Sequence, residues 1–183
     1  RSTPDELESA LRYAIDIGYR HIDTASLYEN EEIIGSVVAD LIHDRRVSRK
    51  DLFITTKKGL ARAIGLSNFN VEQLQQIYHA AKVKPHNLQI EVHVHFPQRE
   101  LHTLCTSLNI SVTAYAPLGC PSKRGTGDWP QEVAIDDPIV VRLAEKYGKT
   151  PAQILLRHLI QRQIIVIPKS TNRERLRENF NVR

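Results

Sequence analysis

Gly18-Tyr-Arg-His-Ile-Asp-Thr-Ala-Ser-Leu-Tyr-Glu-Asn-Glu31, answered downstream by Thr55-Thr56-Lys57, is the most telling part of the chain. Residues 19–24 and 52–56 read as two short β-strands, so Asp23, Tyr28 and Lys57 fall at or just beyond strand ends. A free phenol titrates near ~10, too high for easy proton exchange at neutral pH. A nearby ammonium stabilises the phenolate, and a carboxylate orients the ammonium, so these three residue types together can make a proton-donating tyrosine. The same types also make a surface ion pair and a core tyrosine, and the spacing alone does not choose.

Outward from this stretch, helical and strand patterns alternate. Residues 5–17 form a helix with Leu7, Ala10, Leu11 and Ala14 on one face, and Gly18 ends it. Ile33, Ile34, Val37, Val38, Leu41 and Ile42 mark a second amphipathic helix. Residues 63–67, 87–92, 111–118 and 164–167 read as further strands. Helices lie between them, with Asn70/Gln73 and Thr150/Gln153 in capping-box spacing and Pro151 at the first helical position. Thr171 and Glu174 are placed to cap a last, basic helix. Strand–helix alternation with short connections means βαβ units and a parallel sheet. It does not by itself separate a doubly wound sheet from a (β/α)8 barrel. No GxGxxG follows any strand, which disfavours a Rossmann site. Gly148-Lys149-Thr150 looks like the end of a P-loop, but its upstream glycine position holds Leu143.

At 183 residues, 41% hydrophobic and 25% charged, the chain has the makings of one globular domain. A net charge of +4 and a pI of about 9.1 permit an anionic ligand, yet Lys and Arg are interspersed with acids. A nucleic-acid binder is therefore not expected. No apolar run approaches the ~20 residues of a bilayer span, and Arg1-Ser-Thr-Pro-Asp is no signal peptide. Cys105 and Cys120 form no CxxC pair, which points to a reduced, cytoplasmic setting. Asn109-Ile-Ser111 matches a glycosylation sequon that carries no weight without a secretion signal.

In parallel α/β folds the strand C-termini share one face, where sites are built. The successive strands deliver Asp23 and Tyr28, then Lys57, then Ser67 and Asn68, then Gln89, Glu91 and His93, then Tyr115, and last Lys169 and Ser170. Lys169 and Ser170 precede a helix N-terminus with Arg175 on its first turns, a setting for a phosphate. A solvated basic helix is the alternative. Ser67 and Asn68 can hold a carboxamide, and Tyr115 offers a face for a flat ring. His93-Val94-His95 would put two imidazoles on one strand face, but no third ligand stands at a suggestive spacing, so no metal is expected. Trp129, in the Gly/Pro-rich loop 119–130, is a loop anchor or a wall of a substrate pocket. Cys120 has no evident base nearby in sequence.

Taken together, GYRHIDTASLYENE, FITTK, AIGLSNFN, LQIEVHVHFPQ, TAYAPLG and IPKSTNRERLREN resemble the aldo-keto reductase superfamily, in the family's order and over most of the chain. The resemblance implies an α/β fold, a (β/α)8 TIM barrel, binding NADPH in an extended pose and passing hydride to aldehydes and ketones. It matches Asp23, Tyr28 and Lys57 to three members of the catalytic tetrad. Ser67, Asn68 and Gln89 match the nicotinamide carboxamide contacts, Tyr115 the stacking tyrosine, and Leu118 a further cofactor contact. Lys169, Ser170 and Arg175 match the surroundings of the adenosine 2′-phosphate, and Glu178 and Asn179 those of the adenine. A monomer acting on a small-molecule carbonyl is implied. The HVH of the fourth strand is similar to insect members that reduce ecdysteroid ketones. The segment bearing the tetrad His, similar to LIHWP in the family, has no counterpart, nor do the first barrel strand and the C-terminal loop. The chain is thus expected to be a single barrel domain over residues 1–183, incomplete, with six strands and a seam near 57–58. A cofactor-binding protein without turnover, a truncated form and a nonfunctional fragment remain the alternatives.

Overall fold

The computed structural model describes residues 2–24, 28–55, 64–121, 125–127 and 131–182. It is an α/β structure whose six strands, among the described residues, are all parallel, in two sheets ordered β1-β2 and β3-β4-β5-β6. The chain divides into two compact units, residues 1–60 with 169–181 and residues 61–168 with 182–183.

In the first unit, α1 (Pro4–Ile17) starts on a full capping box. Thr3 Oγ1 accepts from the Glu6 amide, and the Glu6 carboxylate accepts from the Thr3 amide. The helix stops at Gly18, which takes φ +114°. A Cβ there would be strained at that φ and would also sit 2.8 Å from Phe180 Cζ, displacing the ring. Strand β1 (His21–Asp23) follows, then α2 (Glu31–His43), and β2 (Phe53–Thr55) lies parallel to β1 with Asp23 level with Thr55. Ile15, Ile22, Ile34, Val37, Val38, Leu41, Val47 and Leu52 close the core between them. The last helix, α7 (Arg173–Phe180), docks on α1 through Tyr19, whose hydroxyl donates to the Leu176 carbonyl at 3.2 Å and whose ring lies 4.9 Å from that of Phe180. That burial pushes the Tyr19 phenol up to about 12.

The second unit runs β3 (Gly65–Ser67), α3 (Val71–Ala80), β4 (Asn87–Glu91), α4 (Arg99–Ser107), β5 (Ser111–Tyr115), α5 (Pro138–Tyr147), α6 (Pro151–Gln161) and β6 (Ile165–Val166). The capping boxes expected at Asn70/Gln73 and Thr150/Gln153 are both formed. Leu88, Ile90, Val112 and Ala114 point to one side of the sheet and pack with Leu74, Leu101, Cys105 and Leu159 from the helices. Alternation then sends Gln89, Glu91, Thr113 and Tyr115 to the other side. A parallel sheet commonly reads apolar on both faces. Here one face is dry and the other is a bed of hydrogen-bonding groups.

Among the differences from the sequence expectation, three bear on the site. The fifth strand ends at Tyr115 rather than 118, because Ala116 turns to φ +47°. The cap of α7 is Asn172, one residue past Thr171: its Oδ1 accepts from the Arg175 amide at 3.0 Å, while its own amide donates to Ser170 Oγ at 3.1 Å. Strand β4 ends at Glu91, so His93 and His95 do not share a strand face. His93 and Phe96 instead exchange backbone bonds in a tight turn, at 3.2 and 2.9 Å. Among the described residues no helix is long and apolar enough to cross a membrane.

Candidate active site

Asp23 ends β1 at the C-terminal edge of its sheet, level with Thr55. Lys57 and Trp129 lie outside the described residues. Between Asp23 and α2 the buried Thr24 hydroxyl donates to Asn30 Oδ1 at 2.7 Å. Asn30 precedes α2 but makes no side-chain capping bond, since its carbonyl oxygen is spent on Thr24. This brace closes the segment that carries Tyr28, whose side chain is 51% exposed. Sequence reading missed the Thr24–Asn30 pair; the only signal is an Asn at a cap position six residues from a Thr at a strand end.

In the second unit the register sets Ser67 beside Gln89, and Glu91 beside Tyr115. Asn68 follows β3 in a left-handed conformation, φ +61°. Its amide donates to the Gln89 carbonyl at 3.0 Å, and its Oδ1 accepts from the Tyr115 hydroxyl, also at 3.0 Å. The expected nicotinamide contacts Ser67, Asn68, Gln89 and Tyr115 are therefore gathered toward the C-terminal edge of three neighbouring strands, with Asn68 clasped between two of the others. Tyr115 is tied at its hydroxyl and half-buried, which sets its ring. Leu118 lies beyond, packed on the apolar cluster of Ala134, Val140 and Leu155.

The remaining expected contacts belong to the first unit. Lys169 and Ser170 lead into α7, and Arg175 sits exposed on its first turn. Lys169 Nζ donates to Ser2 Oγ at 2.9 Å, a partner that sequence reading did not foresee. Further along, Glu178 is half-buried and Asn179 buried. Within the first unit, cationic side chains at a helix N-terminus are chemistry suited to a phosphate; within the second, an amide-and-ring platform is chemistry suited to a ring bearing a carboxamide. Each set, taken by itself, fits the corresponding end of NADPH.

The two imidazoles past β4 go separate ways. His93 Nε2 lies 3.3 Å from Glu91 Oε1, and His95 Nε2 lies 3.0 Å from Asp137 Oδ2. Among the described residues no group of three or more His, Cys, Asp and Glu could hold a metal. Both cysteines are free thiols; burial in the core pushes Cys105 up to about 11, which keeps it protonated.

Burial also holds His21, His93, His102 and His158 below the usual imidazole value, with Glu91 opposing the shift at His93 and Asp23 opposing it at His21. In the unfolded chain these rings take up protons near pH ~6.5. Their contribution to stability is thus present above that value and is lost as pH falls through it toward the folded values. The urea midpoint is expected to drop between about pH 7.5 and about pH 5.5, and less so in His93→Gln. Equal midpoints at the two pH values would refute this.

A family model described as "Aldo/keto reductase family" matches residues 1–58 and 56–183. The chain belongs to the aldo/keto reductase family. Aldo-keto reductase family 1 member A1 of Homo sapiens is 32% identical over 255 aligned positions, covering 100% of this chain and 78% of that protein. Those 255 positions exceed the 183 residues of this aldo/keto reductase by 72. An aldo-keto reductase of Bombyx mori solved in complex with NADP matches with a TM-score of 0.90 and 33% identity, over 99% of this chain and 78% of that one. The aldose reductase of Schistosoma japonicum matches at 0.87 and 31%, over 99% and 80%. As an aldo/keto reductase the chain has the barrel class of α/β fold, with six strands among the described residues against the eight of a closed barrel.

Proposed function

We propose that this chain is an NADPH-dependent reductase of aldehydes and ketones, with Tyr28 as the proton donor. The observation that carries the reading is the Gln89–Asn68–Tyr115 clasp, a platform shaped for a planar ring bearing a carboxamide. NADP in the Bombyx mori relative and NADPH in another solved aldo-keto reductase, 34% identical, support the choice of cofactor. When bound, NADPH supplies the hydride that reaches the carbonyl carbon.

In this reading Ser67, Asn68 and Gln89 hold the carboxamide, Tyr115 stacks on the ring, and Leu118 adds a contact. Lys169, Ser170 and Arg175 bind the 2′-phosphate, with Glu178 and Asn179 beside the adenine. Tyr28 gives its proton to the carbonyl oxygen as negative charge develops there. Lys57 stabilises the charge left on the phenol, and Asp23 orients Lys57. Trp129 forms a wall of the substrate pocket. The protein acts as a cytoplasmic monomer on small molecules, with no nucleic-acid partner.

The single-domain reading with a seam near 57–58 is supported by the two family-model segments, which meet at 56–58. The same seam favours a second reading. No tetrad His stands between Lys57 and the segment that follows, and a chain lacking it could bind cofactor without turnover. NADPH deuterated at nicotinamide C4 separates the two. Reduction of a reactive aromatic aldehyde is expected to place deuterium on the alcohol carbon. NADPH fluorescence that responds to the protein with no labelled alcohol would establish the second reading instead.

A further inference from the structure

Helices α1 and α7 lie against each other through a row of cation-to-hydroxyl bonds. Arg173 Nη2 donates to Ser9 Oγ at 3.3 Å, and its guanidinium also lies 5.4 Å from the Tyr13 ring centre. Arg177 donates through Nε and Nη2 to the Tyr13 hydroxyl at 3.2 and 3.0 Å. The Lys169–Ser2 bond of 2.9 Å extends the same row past the N-termini of both helices. Arg173 and Arg177, four residues apart, share one side of α7, and Lys169 precedes the helix. None of them meets a carboxylate among the described residues; each is held by a neutral oxygen instead.

The chemistry of that choice matters at Lys169. A carboxylate partner would fix the lysine but cancel its charge and compete with an incoming phosphate. A hydroxyl fixes the lysine and leaves the charge whole. Ser2 is itself well placed for this, because it directly precedes Thr3, the capping-box residue that anchors the start of α1. We infer that Ser2 is a positioning residue that presents Lys169, fully charged, to the 2′-phosphate of the cofactor, and so sets the preference for a phosphorylated adenosine. The inference rests on the NADPH reading proposed above.

Binding of two fragments, followed by calorimetry on the intact chain, tests it without any need for turnover. 2′,5′-ADP carries the 2′-phosphate and 5′-AMP does not. Ser2→Ala is expected to weaken 2′,5′-ADP by about 2- to 10-fold, the net worth of one hydrogen bond when the freed ammonium can still reach the phosphate, and to leave 5′-AMP unchanged. Ser2→Thr keeps the hydroxyl and should restore the wild-type value. Ser2→Asp should weaken 2′,5′-ADP further than Ser2→Ala, because it cancels the charge rather than merely freeing the side chain. Equal 2′,5′-ADP affinity in wild type and Ser2→Ala would overturn the role of Ser2 while leaving the cofactor reading intact. A parallel loss of both fragments would mark Ser2 as merely structural. A wild-type chain that does not distinguish the two fragments would overturn the cofactor preference itself.

Discussion

Tyr28→Phe is expected to lower kcat for aldehyde reduction by about 10²- to 10⁴-fold, the usual worth of a positioned general acid. The substitution removes one oxygen and keeps the ring. That oxygen is not holding the fold together, since Tyr28 is half exposed and lies outside the apolar core of its unit. The Thr24–Asn30 bond that closes the same segment is untouched. The thermal midpoint and the dissociation constant for NADPH should therefore match wild type, and the loss should fall on kcat rather than on cofactor binding. Steady-state kinetics paired with NADPH fluorescence titration reads both quantities. A variant that retains wild-type kcat would remove Tyr28 from the role of proton donor.

The second large effect is on stability. Leu88 is 0% exposed in β4, flanked in register by Leu66 and Val112 and packed on the helices of its unit. Leu88→Ala should lower the unfolding free energy by about 2–5 kcal/mol, through lost transfer energy plus the cavity left behind. Ile165 is a contrast from the same sheet. It is 40% exposed and lies beside Thr113, so Ile165→Ala should cost only a fraction as much. Urea unfolding of the two variants followed by far-UV dichroism tests whether the dry face carries the stability. Similar losses in both would mean that the other face contributes packing of its own.

Much of this was legible in the residues because it is local. Thr150/Gln153 and Asn70/Gln73 close their capping boxes within four residues, and Gly18 stops α1 where the apolar periodicity ends. The parallel pairing and the edge toward which Ser67, Gln89 and Tyr115 collect follow from strand–helix alternation, whereas strand order does not. Competition between near-equivalent local bonds was less legible. At the start of α7, Thr171 and Asn172 both have capping chemistry, and Asn172 takes the position once Ser170 accepts its amide. The turn after Glu91 separates two histidines that an extended strand would have aligned. Least legible were bonds between distant segments. Tyr115 and Asn68 are 47 residues apart, and Lys169 and Ser2 are 167 apart. No periodicity announces such pairs, since they depend on how whole elements dock.

The two-sided sheet of the second unit ties assembly to competence. Side chains along a strand alternate, so a slip of one residue in β4 would turn Gln89 into the core and Leu88 out of it. The same error would break the clasp on Asn68 and leave a buried carboxamide without its partners, at a cost of about 1–3 kcal/mol or more. A misthreaded molecule therefore cannot persist as a stable impostor that looks folded yet binds nothing. Proofreading of the proposed ligand platform is built into folding itself, and any chain that passes the first inspection has already passed the second.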